Sequence, residues 1–347
     1  MRQFDIEKPN EEIIPYLTEK INNLTKPKGS LGFLEDLALQ LGWIQQSLSP
    51  TLKKPHHIVF AGDHGIAVEN ISLSPQEVTY QMLLNFKQGG AGVNFLARQH
   101  HFDLMLVDVG VNKDIDKTDS TIVHRKIRHQ TRNYKYEAAM TYDEMNKAIE
   151  IGAECAQKCY SEGANILCIG EMGITNTSSS SLWMHYLTGE SLRKCTGAGS
   201  DHSGHILNHK YNVLKECRTN YKGDQSAIDI MRYFGGYEMV AAVGAMLQAA
   251  QLKMAILVDG FIMTNCMLMA SKINNNVLHY AIYGHEGNEI GHQIALKALN
   301  AQPILHLGFR LGEGTGALCA YPIVESAIHM INEMSSFKEV KVTKYFK

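Results

Sequence analysis

From Asn165 to Thr177 the chain reads Asn-Ile-Leu-Cys-Ile-Gly-Glu-Met-Gly-Ile-Thr-Asn-Thr: a short apolar run, a glycine, an acid, then hydroxyl and amide side chains leading into a helical pattern. An apolar run of this length, bounded by glycine and followed by a helix, predicts a strand buried on both faces. Five more runs share the design: His57–Ala61, Leu104–Val107, Met254–Val258, His279–Tyr283 and Ile304–Leu307. Short doubly buried strands alternating with amphipathic helices imply an α/β fold, a doubly wound, mainly parallel, Rossmann-like sheet.

The residues just past each run carry more information than the run itself. The six segments after the strands are Ala61-Gly-Asp-His-Gly65, Asp108-Val-Gly110, Gly170–Thr177, Asp259-Gly260, Gly284-His-Glu-Gly287 and Gly308–Gly316. Glycines and acids gather at the carboxyl edge of the predicted sheet, where loops and helix starts converge on ligands in parallel α/β folds. Residues 111–140 are polar with no clear period and read as an irregular connection.

Helix signals support the alternation. Leu34, Leu37, Leu41 and Ile44 recur at helical spacing. Ser74-Pro-Gln-Glu77 has the form of a capped start for a helix running towards Leu96, and Thr141-Tyr-Asp-Glu144 that of a second capping box. The apolar stretch from Met239 to Val258 is interrupted by Gln248, Gln251 and Lys253, so it predicts a helix followed by a strand and no membrane span.

Composition narrows the function classes. Among 347 residues, 45% are hydrophobic and 20% charged, with a net charge of −2. That balance gives no electrostatic reason to expect nucleic acid or a membrane surface as partner. Seven cysteines without a Cys-x2-Cys pair read as reduced thiols of a cytoplasmic protein, and the acidic N-terminus lacks a signal-peptide core.

Three motifs carry chemistry. Gly170–Thr177 opens a helix whose dipole and unpaired first-turn N–H groups suit a phosphate, although an ordinary capped helix start uses the same residues. Thr196-Gly-Ala-Gly-Ser200, with Gly197 and Gly199, reads either as a tight turn beside a solvated Lys210 or as the second wall of that phosphate site. Glu313, set among glycines in Arg310-Leu-Gly-Glu-Gly-Thr-Gly316, is placed to meet a ligand, and partial burial makes it a better base. Asp63, His64 and His285 also permit a metal-dependent phosphohydrolase, but no further ligand pair at fixed spacing accompanies them, and no metal is expected. A non-catalytic nucleotide-binding module is the other alternative. Paired acids of the kind that bind magnesium diphosphate follow none of the strands, so a ribose phosphate donor would already carry a base.

Six ordered blocks, Thr25–Gly32, Phe60–Gly65, Ser74–Thr79, Asn85–Ala91, Gly170–Gly173 and Arg310–Gly316, together resemble the nicotinate-nucleotide–dimethylbenzimidazole phosphoribosyltransferases. The resemblance implies transfer of 5-phosphoribose from nicotinate mononucleotide to a benzimidazole, without a cofactor. It implies a homodimer whose subunit has a catalytic domain at 51–319 and a small helical domain built from 1–50 and 320–347. By the same likeness Glu313 is the general base, and Glu171, Gly173, Asn176, Thr177 and Lys210 surround the ribose phosphate, with Gly197 and Gly199 beside them. Ser72, Gln81 and Leu311 fall where the benzimidazole pocket is lined. The chain departs from the family pattern at Thr175, where glycine is common, and at Ala198, where arginine is.

Overall fold

A computed structural model describes residues 1–197 and 206–344. Ala198 and Gly199 lie outside the described residues. Six strands, β1 (His56–Gly62), β2 (Asp103–Gly110), β3 (Ile122–His124), β4 (Ile166–Met172), β5 (Ala255–Val258) and β6 (Ala281–Tyr283), form one sheet in the order β3-β2-β1-β4-β5-β6. All neighbours are parallel and helices cover both faces. The strand order reverses between β1 and β4, so the crevice at their carboxyl ends is the topological switch point where ligands bind in this architecture.

The helices are α1 (Ile14–Asn22), α2 (Phe33–Gln45), α3 (Val78–Gln88), α4 (Gly92–Gln99), α5 (Tyr142–Ser161), α6 (Asn176–Thr188) and α7 (Leu192–Cys195). After them come α8 (Leu207–Asn220), α9 (Ala227–Phe234), α10 (Tyr237–Gln251), α11 (Phe261–Ile273), α12 (Ile290–Ala298) and α13 (Thr315–Glu333). The Met239–Val258 stretch divides into α10 and β5 as its polar interruptions predict, and Tyr237–Ala250 is buried throughout. Against α10 lies α5 in backbone contact: a Cβ on Gly152 would sit 1.8 Å from the Ala241 carbonyl oxygen, and one on Gly244 2.2 Å from that of Ile149. Thr141 and Glu144 cap α5 reciprocally, as expected. At the other end of the chain α13 packs on α2, and α1 and α2 pack together. No helix among the described residues is long and apolar enough to cross a membrane.

Three expectations are corrected. Ile304–Leu307 is not a sheet strand: it pairs only through an isolated bridge, His285 to Leu305, and His306 and Leu307 are exposed, so no helix covers it. The sixth strand is instead β3, from the polar 111–140 connection, with buried Ile122 opposite Leu106 at the sheet edge. Ser74 does not cap a helix. Pro75–Glu77 forms a turn, Gln76 is spent on the His64 carbonyl and on Gln130, and α3 begins at Val78. Nor does that helix reach Leu96, because left-handed Gly89 at φ 80° ends α3 before α4 starts.

Candidate active site

The loops after β4, β5 and β6 and the Gly308–Gly316 turn converge on two adjoining cavities. The first, ≈ 170 Å³, is the more polar of the two: Glu171, Asn176, Thr177, Lys210, Asp259 and His285 are among its walls. The second, ≈ 920 Å³, is mainly apolar, with Val78, Met82, Phe95, Leu96 and Pro322 around Glu313. Met172, Ile174, Phe309, Arg310 and Leu311 border both. The larger, apolar cavity and the smaller polar one thus meet along the strand end of β4 and the turn that carries Glu313.

The glycines make this close approach possible. A Cβ on Gly173 would lie 2.6 Å from the Gly62 carbonyl and 2.9 Å from Glu238 Oε1, so the loop after β4 rests directly on the end of β1. Gly312, Glu313 and Gly314 are all left-handed, at φ 84°, 62° and 86°. For glycine that conformation is free, while for a glutamate it is uncommon and held by its surroundings. The Glu313 carboxylate accepts from the Val93 N–H at 3.1 Å, at the start of α4. It is only 3% exposed, and burial raises its pKa to about 7.

Lys210, from α8, is buried and donates from Nζ to Thr177 Oγ1 at 2.7 Å, which places its charge at the first turn of α6. Burial lowers its pKa to about 8, against the pull of Glu289. The Asn176 amide donates to Glu171, whose pKa burial and the nearby Glu238, Asp259 and Glu313 carboxylates raise to about 8. Asp259 stays charged more readily. Burial opposes this, but His285 Nε2 at 3.3 Å and the Ala317 N–H at 3.0 Å outweigh it and hold its pKa below the usual carboxylate value.

Glu171, Gly173, Asn176, Thr177 and Lys210, grouped in the sequence by resemblance, line one cleft. Leu311 borders both cavities and Glu313 the apolar one. Ser72 lines the polar cavity instead of the apolar one, beside Ile71 in the same wall, and it is Ser74, two residues on, that reaches the apolar cavity. Gln81 is exposed and lines neither cavity, since on α3 it faces away while Val78 and Met82 face in. Gly197 also borders neither, and Gly199 is among the residues not described.

Asp63, His64 and His285 do not converge. His64 Nε2 bonds Glu238 Oε1 at 2.6 Å deep beneath the Gly173 loop, Asp63 accepts from the Asn112 N–H at 2.8 Å, and His285 belongs to Asp259. Among the described residues no group of three or more His, Cys, Asp or Glu is placed to hold a metal ion. Sequence reasoning missed Glu238, whose only trace is the set of glycines, Gly62, Gly173 and Gly236, that make room for it. Pro322 and Cys319 were also missed, because a C-terminal helix carries no local signal for the cavity it borders.

A doubly wound sheet with a cleft that sets Lys210 at the start of a helix, beside an apolar cavity with the buried Glu313 carboxyl in its wall, defines an α/β group-transfer enzyme. A family model described as phosphoribosyltransferase (DBI_PRT) matches residues 6–342, and the chain belongs to this family. It is 59% identical over 346 residues to the nicotinate-nucleotide–dimethylbenzimidazole phosphoribosyltransferase of Bacteroides fragilis strain YCH46, covering 100% of both chains. To the protein of that name from Dechloromonas aromatica it is 42% identical, covering 99% of each. Among solved structures it resembles CobT from Thermus thermophilus, with a TM-score of 0.92 and 33% identity over 96% of this chain and 99% of that one.

Proposed function

We propose that the enzyme moves 5-phosphoribose from nicotinate mononucleotide to a benzimidazole such as 5,6-dimethylbenzimidazole, releasing nicotinate and forming the ribazole phosphate used as the lower-ligand nucleotide of cobalamin. The relatives' shared name over full-length matches supports the reaction. The observation that carries it is Glu313: a buried carboxyl with a raised pKa in the wall of the apolar cavity, on the turn whose Leu311 borders both cavities.

Chemistry needs little more. Nicotinate leaves from a positively charged ring nitrogen, so its departure requires no general acid. The incoming base attacks the anomeric carbon with one ring nitrogen while Glu313 takes the proton from the other. One C–N bond forms, one breaks, and the proton ends on the carboxylate. Attack from the face opposite nicotinate inverts the anomeric centre. Lys210, Thr177 and the start of α6 hold the phosphate, and the apolar cavity orients the base, an alignment worth roughly 7–11 kcal/mol in favourable cases.

We carry three further readings as proposals: a homodimer, supported by Phe95 and Leu311, which are apolar and more than half exposed at the cavity mouth; a small domain from both termini, supported by the packing of α13 on α2; and a cytoplasmic setting, supported by the free state of Cys155, Cys159 and the other described cysteines.

The test is Glu313→Gln. It keeps nicotinate mononucleotide binding but lowers kcat about 100- to 10,000-fold, the usual worth of a placed base. Turnover near that of the parent enzyme, read as nicotinate released in the presence of 5,6-dimethylbenzimidazole, rejects the role.

A further inference from the structure

We propose that His57 is a positioning residue for Glu313, its ring N–H holding the left-handed turn that aims the carboxylate into the acceptor cavity. The Nε2 of His57 lies 2.8 Å from the main-chain oxygen of Glu313. A carbonyl only accepts, so the proton must sit on Nε2. His57 is fully buried on β1, a strand hydrogen-bonded on both sides, by β2 and by β4. Few places in the molecule offer a firmer support.

The turn needs one. A non-glycine residue at φ 62° is held there against its own preference, and such conformations persist only where neighbours over-determine them. The neighbours are cut to fit this bond. A Cβ on Gly170 would lie 2.3 Å from the Glu313 oxygen, and one on Gly314 2.1 Å from the His57 ring. With the main chain pinned from β1 and the carboxylate met by the Val93 N–H of α4, residue 313 is fixed at both ends.

Charge is handled in keeping with this role. Burial lowers the His57 pKa to about 4, so the ring donates its bond without a full positive charge beside the base. The other groups that face the pair are acids or main chain: Asp259 acts on both residues, Glu171 lies close enough to Glu313 to feel its charge, and the Cys168 backbone faces the imidazole. A cation at position 57 would favour the carboxylate's ionised form and weaken it as a base.

The inference rests on Glu313 being the base, so Glu313→Gln is measured alongside His57→Gln, His57→Asn and His57→Leu. Each variant is followed by thermal melting, by kcat and KM for nicotinate mononucleotide, and by its pH–rate profile. Glutamine can present an N–H near the Nε2 position, whereas asparagine ends short of it. His57→Asn and His57→Leu are expected to lower kcat about 10- to 100-fold, the scale of a misplacement near 1 Å, while donor KM stays within about twofold. Their acid limb should move to lower pH as the released carboxyl meets water, and His57→Gln should restore most of the turnover and the parent profile. The proposal is overturned if a folded His57→Leu or His57→Asn keeps the parent kcat and acid limb. It is equally overturned if His57→Gln is as impaired as His57→Leu, or if none of the three folds, which makes His57 a core residue only. An active Glu313→Gln rejects the base itself. An inactive one beside an unimpaired His57→Asn rejects the positioning role alone.

Discussion

Lys210 reaches across from α8 to donate to the Thr177 hydroxyl in the first turn of α6, so a buried cation and a helix N-terminus face the same cleft. Each favours an anion, and together they describe a phosphate site. Replacing Lys210 by methionine keeps the apolar stem and removes the charge. Donor affinity should fall about 10- to 100-fold, the scale of one charge-assisted hydrogen bond, with a smaller change in kcat. Titration calorimetry with nicotinate mononucleotide reads this directly, and unchanged affinity would assign the phosphate elsewhere.

Glu313 must be ionised to accept a proton, and burial places its pKa at about 7. Turnover should therefore rise with pH through that value and level off above it. An acid limb centred near 4.5, the ordinary glutamate value, would mean that the residue is solvated during the reaction. The profile of kcat from pH 5 to 9, at saturating donor and acceptor, distinguishes the two.

Much of this site was legible in the sequence because it is built from strand ends. A short apolar run fixes where a buried parallel strand stops, and the residues just beyond must then crowd the switch point. The Gly170–Thr177 stretch and Glu313 stood out this way, while Glu171, Asn176 and Thr177 were singled out within that stretch by resemblance. Gln81 was placed in the acceptor pocket by resemblance alone, and a helix turns a residue away from a cavity within a single step of 100°. Ile304–Leu307 and Ile122–His124 exchanged roles because strand patterning reports burial, and an edge strand such as β3 is covered too little to show it. His57 and Glu238 stayed hidden since their partners are 256 and 174 residues away.

Glu171 and Glu313 make the stability of the substrate-free enzyme depend on pH. Both have folded pKa values, about 8 and about 7, above the ordinary 4.5. The folded state thus keeps protons that the unfolded chain has lost, and the stability present below the ordinary value is lost as pH rises through the folded ones. Asp63, raised to about 6, acts in the same direction at lower pH. His57 and His292, lowered to about 4 and about 3, act oppositely but only below 6.5, and Lys210, lowered to about 8, acts mainly above that value. Between pH 6.5 and 8 the melting temperature should fall, and Glu171→Gln should flatten the slope. A melting temperature that rises over this interval contradicts the assignment.

Thr175 offers the sharpest trade between stability and fit. It caps α6 at φ 79°, and a β-branched residue there is an outlier. Its hydroxyl is buried and finds no partner among the described residues, while the side chain is 7% exposed at the wall of the polar cavity. Left-handed strain of this kind costs on the order of 1–3 kcal/mol, and glycine removes it while giving back some unfolded-state entropy. Thr175→Gly should therefore stabilise the protein by about 1 kcal/mol, measured by denaturant unfolding with unchanged m-value. If the threonine methyl also packs the cleft around the donor, the same variant will raise KM for nicotinate mononucleotide as it raises stability. A loss of stability on Thr175→Gly would show that the left-handed cap is not strained at all, and that the threonine is held there by packing which the glycine forfeits.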